Sequence, residues 1–216
     1  MKINRLILYT SQLEKQTVFY KDKLGFKLIE RTNDHCSFKI GHSFLSFYYR
    51  EITTPYHFAF NIPSNQINEA LLWLKQRVSI LKDEQNEIND FENWNAKAVY
   101  FYDEDQNIVE FIARKNLNIQ SNYTFRSDSI IGISEIGVPV NNIEQAYNHL
   151  NQLRKIPIYD GNFEKFCATG DEDGLFIIIH KEKKKWFPTD DIAYSSYFRM
   201  EGDYHIEFTN GKINKI

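Results

Sequence analysis

One carboxylate, Glu110, stands in the middle of the apolar run NIVEFIA, which follows the polar turn DEDQ. If the run is a strand, alternation sends Ile108, Glu110 and Ile112 to one face and Val109, Phe111 and Ala113 to the other. An acid among large apolar neighbours is costly to bury unless it is paired, protonated, turned to water or bound to a cation. Glu110 is therefore the first candidate for chemistry. His205 and Glu207 in YHIEF also share a strand face, and read as an exposed pair on a terminal hairpin. Nucleophilic catalysis has no supporting arrangement: there is no G-x-S-x-G elbow, and Cys36 and Cys167 have neither metal nor redox spacing. Phosphate cradles are absent too, because the turns at Gly25 and Gly170 lack the repeated glycines and the lysine they require.

The elements that must position such residues repeat. RLILYTSQLEKQTVFYKDKLGF from Arg5, HFAFNIPSNQINEALLWLKQRV from His57 and EIGVPVNNIEQAYNHLNQL from Glu135 each run from an alternating strand through a polar cap to a helical stripe. Ser11 with Glu14, and Asn141 with Glu144, have the form of capping boxes. Ile67, Leu71, Leu74, Val78 and Leu81 form one helix face, and Ile143, Tyr147, Leu150 and Leu153 another. Each helix is followed by further strand-like runs that end near Ser46, Glu110 and Ile178. The chain thus reads as α+β, made of β-α-β-β-β units. Residues 1–116 are expected to pair two units into a cup; the polar stretch around 116–129 is a linker, and 130–216 form a third unit plus a C-terminal hairpin. A half-cup exposes a sheet face, so the third unit is expected to pack on the C-terminal strands or on a second copy in a homodimer.

Three stretches carry a family resemblance: LEKQTVFYKDKLGFKL from Leu13, HFAF from His57, and VYFYDEDQNIVEFI from Val99. They resemble the vicinal oxygen chelate superfamily, which includes glyoxalases, bleomycin-resistance proteins and extradiol dioxygenases. The resemblance implies a cup in which the first and last strands of each unit offer inward ligands to one divalent metal (Zn, Mn, Fe or Ni), with a small organic molecule bound beside it. Position by position, His57 and Glu110 fall on the second unit's two ligand positions, Glu110 also being able to move a proton as a catalytic acid or base. Arg5 falls where the first unit usually has His, and Ser46 where it has a ligand. Arginine offers only donors and cannot bind a metal, and two protein ligands rarely hold a catalytic ion. Candidates for a third are Glu135, if unit three pairs with unit two, and His180, on the strand face of Ile178. The different-class alternative has no cofactor. In it Arg5 bridges Glu110 and the cup sequesters a ligand without metal, as the bleomycin-resistance branch implies. Arg5, Ser46 and Tyr9 are the ligand-binding candidates there. For Tyr9, Phe47, Tyr49, Phe58, Phe60 and Tyr100, taken singly, core is the default reading.

Composition excludes other classes. The 216 residues are 42% hydrophobic and 25% charged, and the longest apolar runs are far too short for a membrane span or a secretory segment. The cytoplasm is the expected compartment. With 26 basic against 29 acidic residues, the net charge of -3 gives no attraction to nucleic acid or anionic membrane. The cluster KEKKK at Lys181 to Lys185 reads as a solvated loop.

Overall fold

A computed structural model describes residues 1–216. Unit one comprises β1 (Ile3–Thr10), α1 (Leu13–Val18), which widens into a π-helical turn at Phe19–Lys23, then β2 (Lys27–Arg31), β3 (His35–Ile40) and β4 (Ser43–Tyr49). Unit two holds β5 (His57–Ile62), α2 (Ile67–Lys75), the short β6 (Ile80–Leu81) and β7 (Asn89–Phe91), β8 (Ala96–Tyr102) and β9 (Ile108–Arg114). Unit three holds β10 (Gly132–Val140), α3 (Ile143–Leu153), β11 (Ile158–Gly161), β12 (Phe166–Asp171) and β13 (Gly174–His180). Three strands close the chain: β14 (Phe198–Gly202), β15 (Ile206–Thr209) and β16 (Lys212–Lys215). The α+β architecture of β-α-β-β-β modules is the one expected, with a three-stranded meander in place of the terminal hairpin.

The partnering of the units differs from the expected one. Strand β5 of unit two pairs antiparallel with β10 of unit three, giving one sheet in the order β11-β12-β13-β10-β5-β9-β8-β6, with β7 beside β8. Unit one instead joins the C-terminal strands through β1 and β14, in the order β16-β15-β14-β1-β4-β3-β2. Units one and two, consecutive in the chain, therefore lie in different sheets. Within each unit the first and last strands run parallel, as in β5 against β9 and β10 against β13, so their inward side chains meet at the centre of a sheet.

Alternation divides the strands between two apolar clusters. Leu6 and Leu8 of β1, Phe58 and Phe60 of β5, Phe111 of β9 and Phe176 of β13 belong to a cluster of 44 buried residues that spans both sheets and all three helices. The opposite face of the second sheet carries a smaller cluster of 12, including Ala59, Ile108, Ile112, Leu175, Ile177 and Ile179. That face is the concave one, where the cup lies.

Helix boundaries shift from the expected ones. Helix α1 starts after Gln12 with no side-chain cap, while the Thr10 hydroxyl accepts from the Gln12 N–H. In α3 the cap is Asn142, which accepts from Gln145 N–H at 2.9 Å, one residue past the expected position. Leu81 belongs to β6 because α2 ends at Lys75.

Unit one is tied to unit two by the turn before β9. Asp103 accepts from the backbone N–H groups of Asp105 and Asn107, from the Asn107 amide, and from the Tyr20 hydroxyl at 2.8 Å. Asp105 accepts from Gln12 and Gln16 of unit one. Tyr20 is fully buried, so Tyr20→Phe leaves one carboxylate oxygen short of a donor. Urea denaturation is expected to show a loss of about 1–3 kcal/mol; unchanged stability contradicts the clamp.

Candidate metal centre

Strand geometry brings three of the candidate residues together. His57 opens β5, Glu110 lies at the middle of β9, and Glu135 lies on β10 just past an irregularity in its register with β5. Parallel pairing sets Ala59 beside Glu110, and antiparallel pairing sets Ala59 beside Glu135. The two carboxylates thus flank β5 from opposite sides, with the imidazole between them. His57 Nε2 lies 3.6 Å from Glu110 Oε2 and 3.9 Å from Glu135 Oε2, and one ligand atom from each of the three residues lies within 4.8 Å of the others. All three are at least 94% buried, with exposures of 6%, 2% and 2%.

The protonation states follow from what each group touches. His57 Nδ1 lies 3.2 Å from the Ile108 carbonyl, which can only accept, so Nδ1 carries the proton and Nε2 presents a lone pair. Burial pulls the imidazole down to about 4, against a small upward pull from that carbonyl. Burial also pushes Glu110 well above the ordinary carboxylate range, and the nearby Glu135 charge adds to the rise, while Arg114 and the Tyr100 hydroxyl oppose it. Glu135 is raised to about 7 by burial, opposed by the charge and hydrogen bond of Arg114. A buried imidazole lone pair and two buried carboxyl groups therefore face one another, with only a carboxyl proton available between them. A cation among them removes the conflict. Metal–ligand bonds of about 2.0–2.2 Å place neighbouring donor atoms roughly 3–4 Å apart, and the two separations from His57 Nε2 fall in that range. A neutral imidazole with two carboxylates is a donor set suited to Zn, Mn or Fe, so these residues fit a divalent ion.

A cavity of about 560 Å³ opens over the three groups. Tyr100, Phe91, Trp94, Phe166, Ile177, Ile179, Trp186 and Phe187 form its apolar walls, and Asp90, Glu92, Asn93, Asp160 and Lys184 are its polar members. The Trp186 ring lies 4.8 Å from the His57 ring, centroid to centroid. Trp186 belongs to the segment between the two sheets, held down where Trp186 pairs with Asp191 and Asp191 accepts from the Tyr102 hydroxyl at 2.5 Å.

The remaining candidates lie elsewhere. Arg5, Ser46 and Tyr9 belong to the first sheet, where Arg5 Nη1 donates to Ser46 Oγ at 3.2 Å and Arg5 Nε lies 3.6 Å from Glu201. The Tyr9 ring packs at a tilt against that of Tyr197, their centres 4.7 Å apart. An Arg5–Glu110 bridge does not form, because their strands are in different sheets. His180 shares the face of Ile178, as expected, but that face packs on the large core, whereas Ile177 and Ile179 face the cavity. Of the aromatic set, Phe47, Phe58 and Phe60 are core, and Tyr100 lines the cavity. Sequence reasoning did not single out Arg114, Trp186 or Lys184. Arg114 could have been found as the fourth residue beyond Glu110 on the same strand face.

A model of the Glyoxalase/Bleomycin resistance protein/Dioxygenase superfamily matches residues 2–111, and the chain belongs to that superfamily. A curated relative, the metallothiol transferase FosB of Staphylococcus epidermidis, is 29% identical over 116 residues, covering 50% of this chain and 78% of its own. Among solved structures, a Bacillus subtilis protein described as a dioxygenase superposes with a TM-score of 0.60 at 16% identity, over 83% of this chain and 63% of that one. A lactoylglutathione lyase from Agrobacterium tumefaciens matches 50% of this chain and 90% of its own, at 19% identity and a TM-score of 0.45. No helix is long and apolar enough to cross a membrane.

Gly137 adjoins the site on the cup face of β10. A Cβ there would lie 2.7 Å from two atoms of the Trp186 ring and 3.2 Å from the His57 carbonyl oxygen. Gly137→Ala is expected to push the indole off the imidazole, costing about 1–3 kcal/mol and shifting tryptophan emission. Unaltered emission and stability contradict the packing described.

Proposed function

We propose that this protein binds a small organic molecule in the cup of the second sheet, against a divalent cation held by His57, Glu110 and Glu135. The convergence of a buried imidazole lone pair with two buried carboxyl groups carries the reading. The likeness to a metallothiol transferase and the superfamily membership support it. When bound, the ion supplies Lewis-acid polarisation of ligand oxygens.

The chain's own residues supply the rest. Trp186, Phe187, Phe91 and Trp94 offer a flat apolar ligand its walls. His57 is held in one tautomer by the Ile108 carbonyl. Among the chain's own groups, Glu110 is the acid or base candidate, with the Tyr100 hydroxyl beside it. One imidazole with two carboxylates departs from the two-His, one-carboxylate set of non-haem iron oxygenases. The donor set therefore favours a proton-moving lyase, isomerase or transferase over a ring-cleaving dioxygenase. A second reading, a metal-free ligand-sequestering protein, is favoured by the Arg114–Glu135 ion pair, which partly neutralises the site without a metal.

Elemental analysis of protein purified without chelator is expected to find about one divalent ion per chain, lost in His57→Ala and in Glu110→Gln. Metal-free protein whose melting temperature does not move with Zn, Mn, Fe or Ni contradicts the metal reading and supports the second.

A pH dependence follows with a definite sign. Glu135 titrates near 7 in the folded chain, above its unfolded value. Its stability contribution is therefore full below the ordinary carboxylate range and lost as pH rises through about 7. His57, lowered to about 4, has the opposite slope: stability is lost as pH falls from its ordinary value towards about 4. Cation binding needs the carboxylates ionised, so affinity is expected to rise with pH through about 7 and beyond, with protons released on uptake. Calorimetry near pH 6 in buffers of different ionisation enthalpy checks this; uptake with no proton release contradicts it.

A further inference from the structure

Arg114 is the bulkiest of the fully buried side chains, at 0% exposure, and it carries a charge. It ends β9, four residues beyond Glu110 and on the same strand face. Its Nη2 donates to Glu135 Oε1. Nη1 lies 3.7 Å from Glu172 Oε2, and Glu172 Oε1 accepts from the Tyr159 hydroxyl at 2.8 Å and the Asn116 amide at 2.9 Å. The guanidinium carbon stands 5.3 Å from the centre of the Trp94 ring and 5.7 Å from that of Tyr159. Nε and Nη1 have no hydrogen-bond partner. A guanidinium stripped of water with donors unmatched is a net cost to folding, so packing alone does not account for an arginine here.

Glu135 is where that charge is directed. It is the single donor that unit three gives to the centre, because the pairing of β10 with β13 puts Ile177 beside Gly137, in the place that Glu110 takes beside Ala59 in unit two. Its Oε1 is bound by Arg114, and its Oε2 faces His57 Nε2. A glutamate without such a partner keeps several rotamers and can offer a metal one oxygen or two.

We propose that Arg114 is a positioning residue for the metal centre. By holding Oε1 it aims Oε2 of Glu135 at the space shared with His57 and Glu110, limits Glu135 to one metal-facing oxygen, and offsets the repulsion between the two carboxylates. Trp94 and Tyr159 fix the plane of the guanidinium, and Glu172 holds its far side. The inference rests on the metal reading above, and concerns how the third donor is held there.

The test uses the full chain, stripped of metal and titrated with Co(II), whose visible absorption reports coordination number. Arg114→Met is expected to weaken Co(II) binding by about 10–100-fold and to alter the visible bands, as Glu135 turns or binds through both oxygens. Arg114→Lys, which keeps the charge but not the planar fork, is expected to fall between wild type and Arg114→Met in affinity. If Arg114→Met does not fold, weakened binding with altered bands in Arg114→Lys supports the proposal. Wild-type affinity and spectrum in a folded Arg114→Met, or in Arg114→Lys where the methionine variant fails, overturn it, even if the melting temperature falls. Wild-type protein that takes up no Co(II) overturns both this role and the metal reading; normal wild-type uptake with an indifferent Arg114 overturns the role alone.

Discussion

A buried imidazole lone pair and two buried carboxyl groups face one another at the floor of the cup, and the rest of the cup is arranged around that conflict. An imidazole lone pair 3.6 Å and 3.9 Å from two carboxylate oxygens is repulsive unless a proton or a cation intervenes. Proton sharing is one solution, and burial raises both carboxyls accordingly. A divalent ion is the other, and it needs no rearrangement of the strands. The Ile108 carbonyl fixes which nitrogen of His57 is free, Tyr100 lies beside Glu110, and Arg114 holds the far oxygen of Glu135.

The same module resolves the problem differently in the other sheet. Pairing of β1 with β4 sets Ile7 beside Ser46, as pairing of β5 with β9 sets Ala59 beside Glu110. Arg5 then takes the place of His57 and Ser46 that of Glu110. There the polar groups are satisfied internally: Arg5 donates to Ser46, Ser46 and Ser37 share a hydrogen bond at 2.7 Å, and Glu201 of β14 faces the guanidinium. One geometry thus gives a cluster of unmatched acceptors in one sheet and a self-neutralised donor–acceptor set in the other.

Much of this was legible in the sequence, for physical reasons. Alternation and helical periodicity are local, so the three units, their inward faces and the anomaly of Glu110 could be read directly. Glu135 was visible as the first-strand equivalent of His57. The partner of each unit was not legible, because β1, β5 and β10 carry similar alternating patterns, and pairing is decided by surfaces distant in the chain. That one choice misplaced Arg5, Ser46 and Tyr9, which lie in the first sheet. His180 failed through a one-residue register: Ile178 looked equivalent to Glu110, but Ile177 faces the cavity. The KEKKK cluster read as a solvated loop, yet Lys184 borders the cavity, since a loop's path over a sheet leaves no periodic trace.

The most direct test is diffraction from crystals of protein purified without chelator, with anomalous data collected across the absorption edges of the candidate metals. The account predicts one anomalous peak about 2.0–2.3 Å from His57 Nε2 and from a carboxylate oxygen of Glu110 and of Glu135. A cup without such a peak, with Glu110 protonated and hydrogen-bonded to His57 Nε2 even in crystals soaked with the ion, contradicts it.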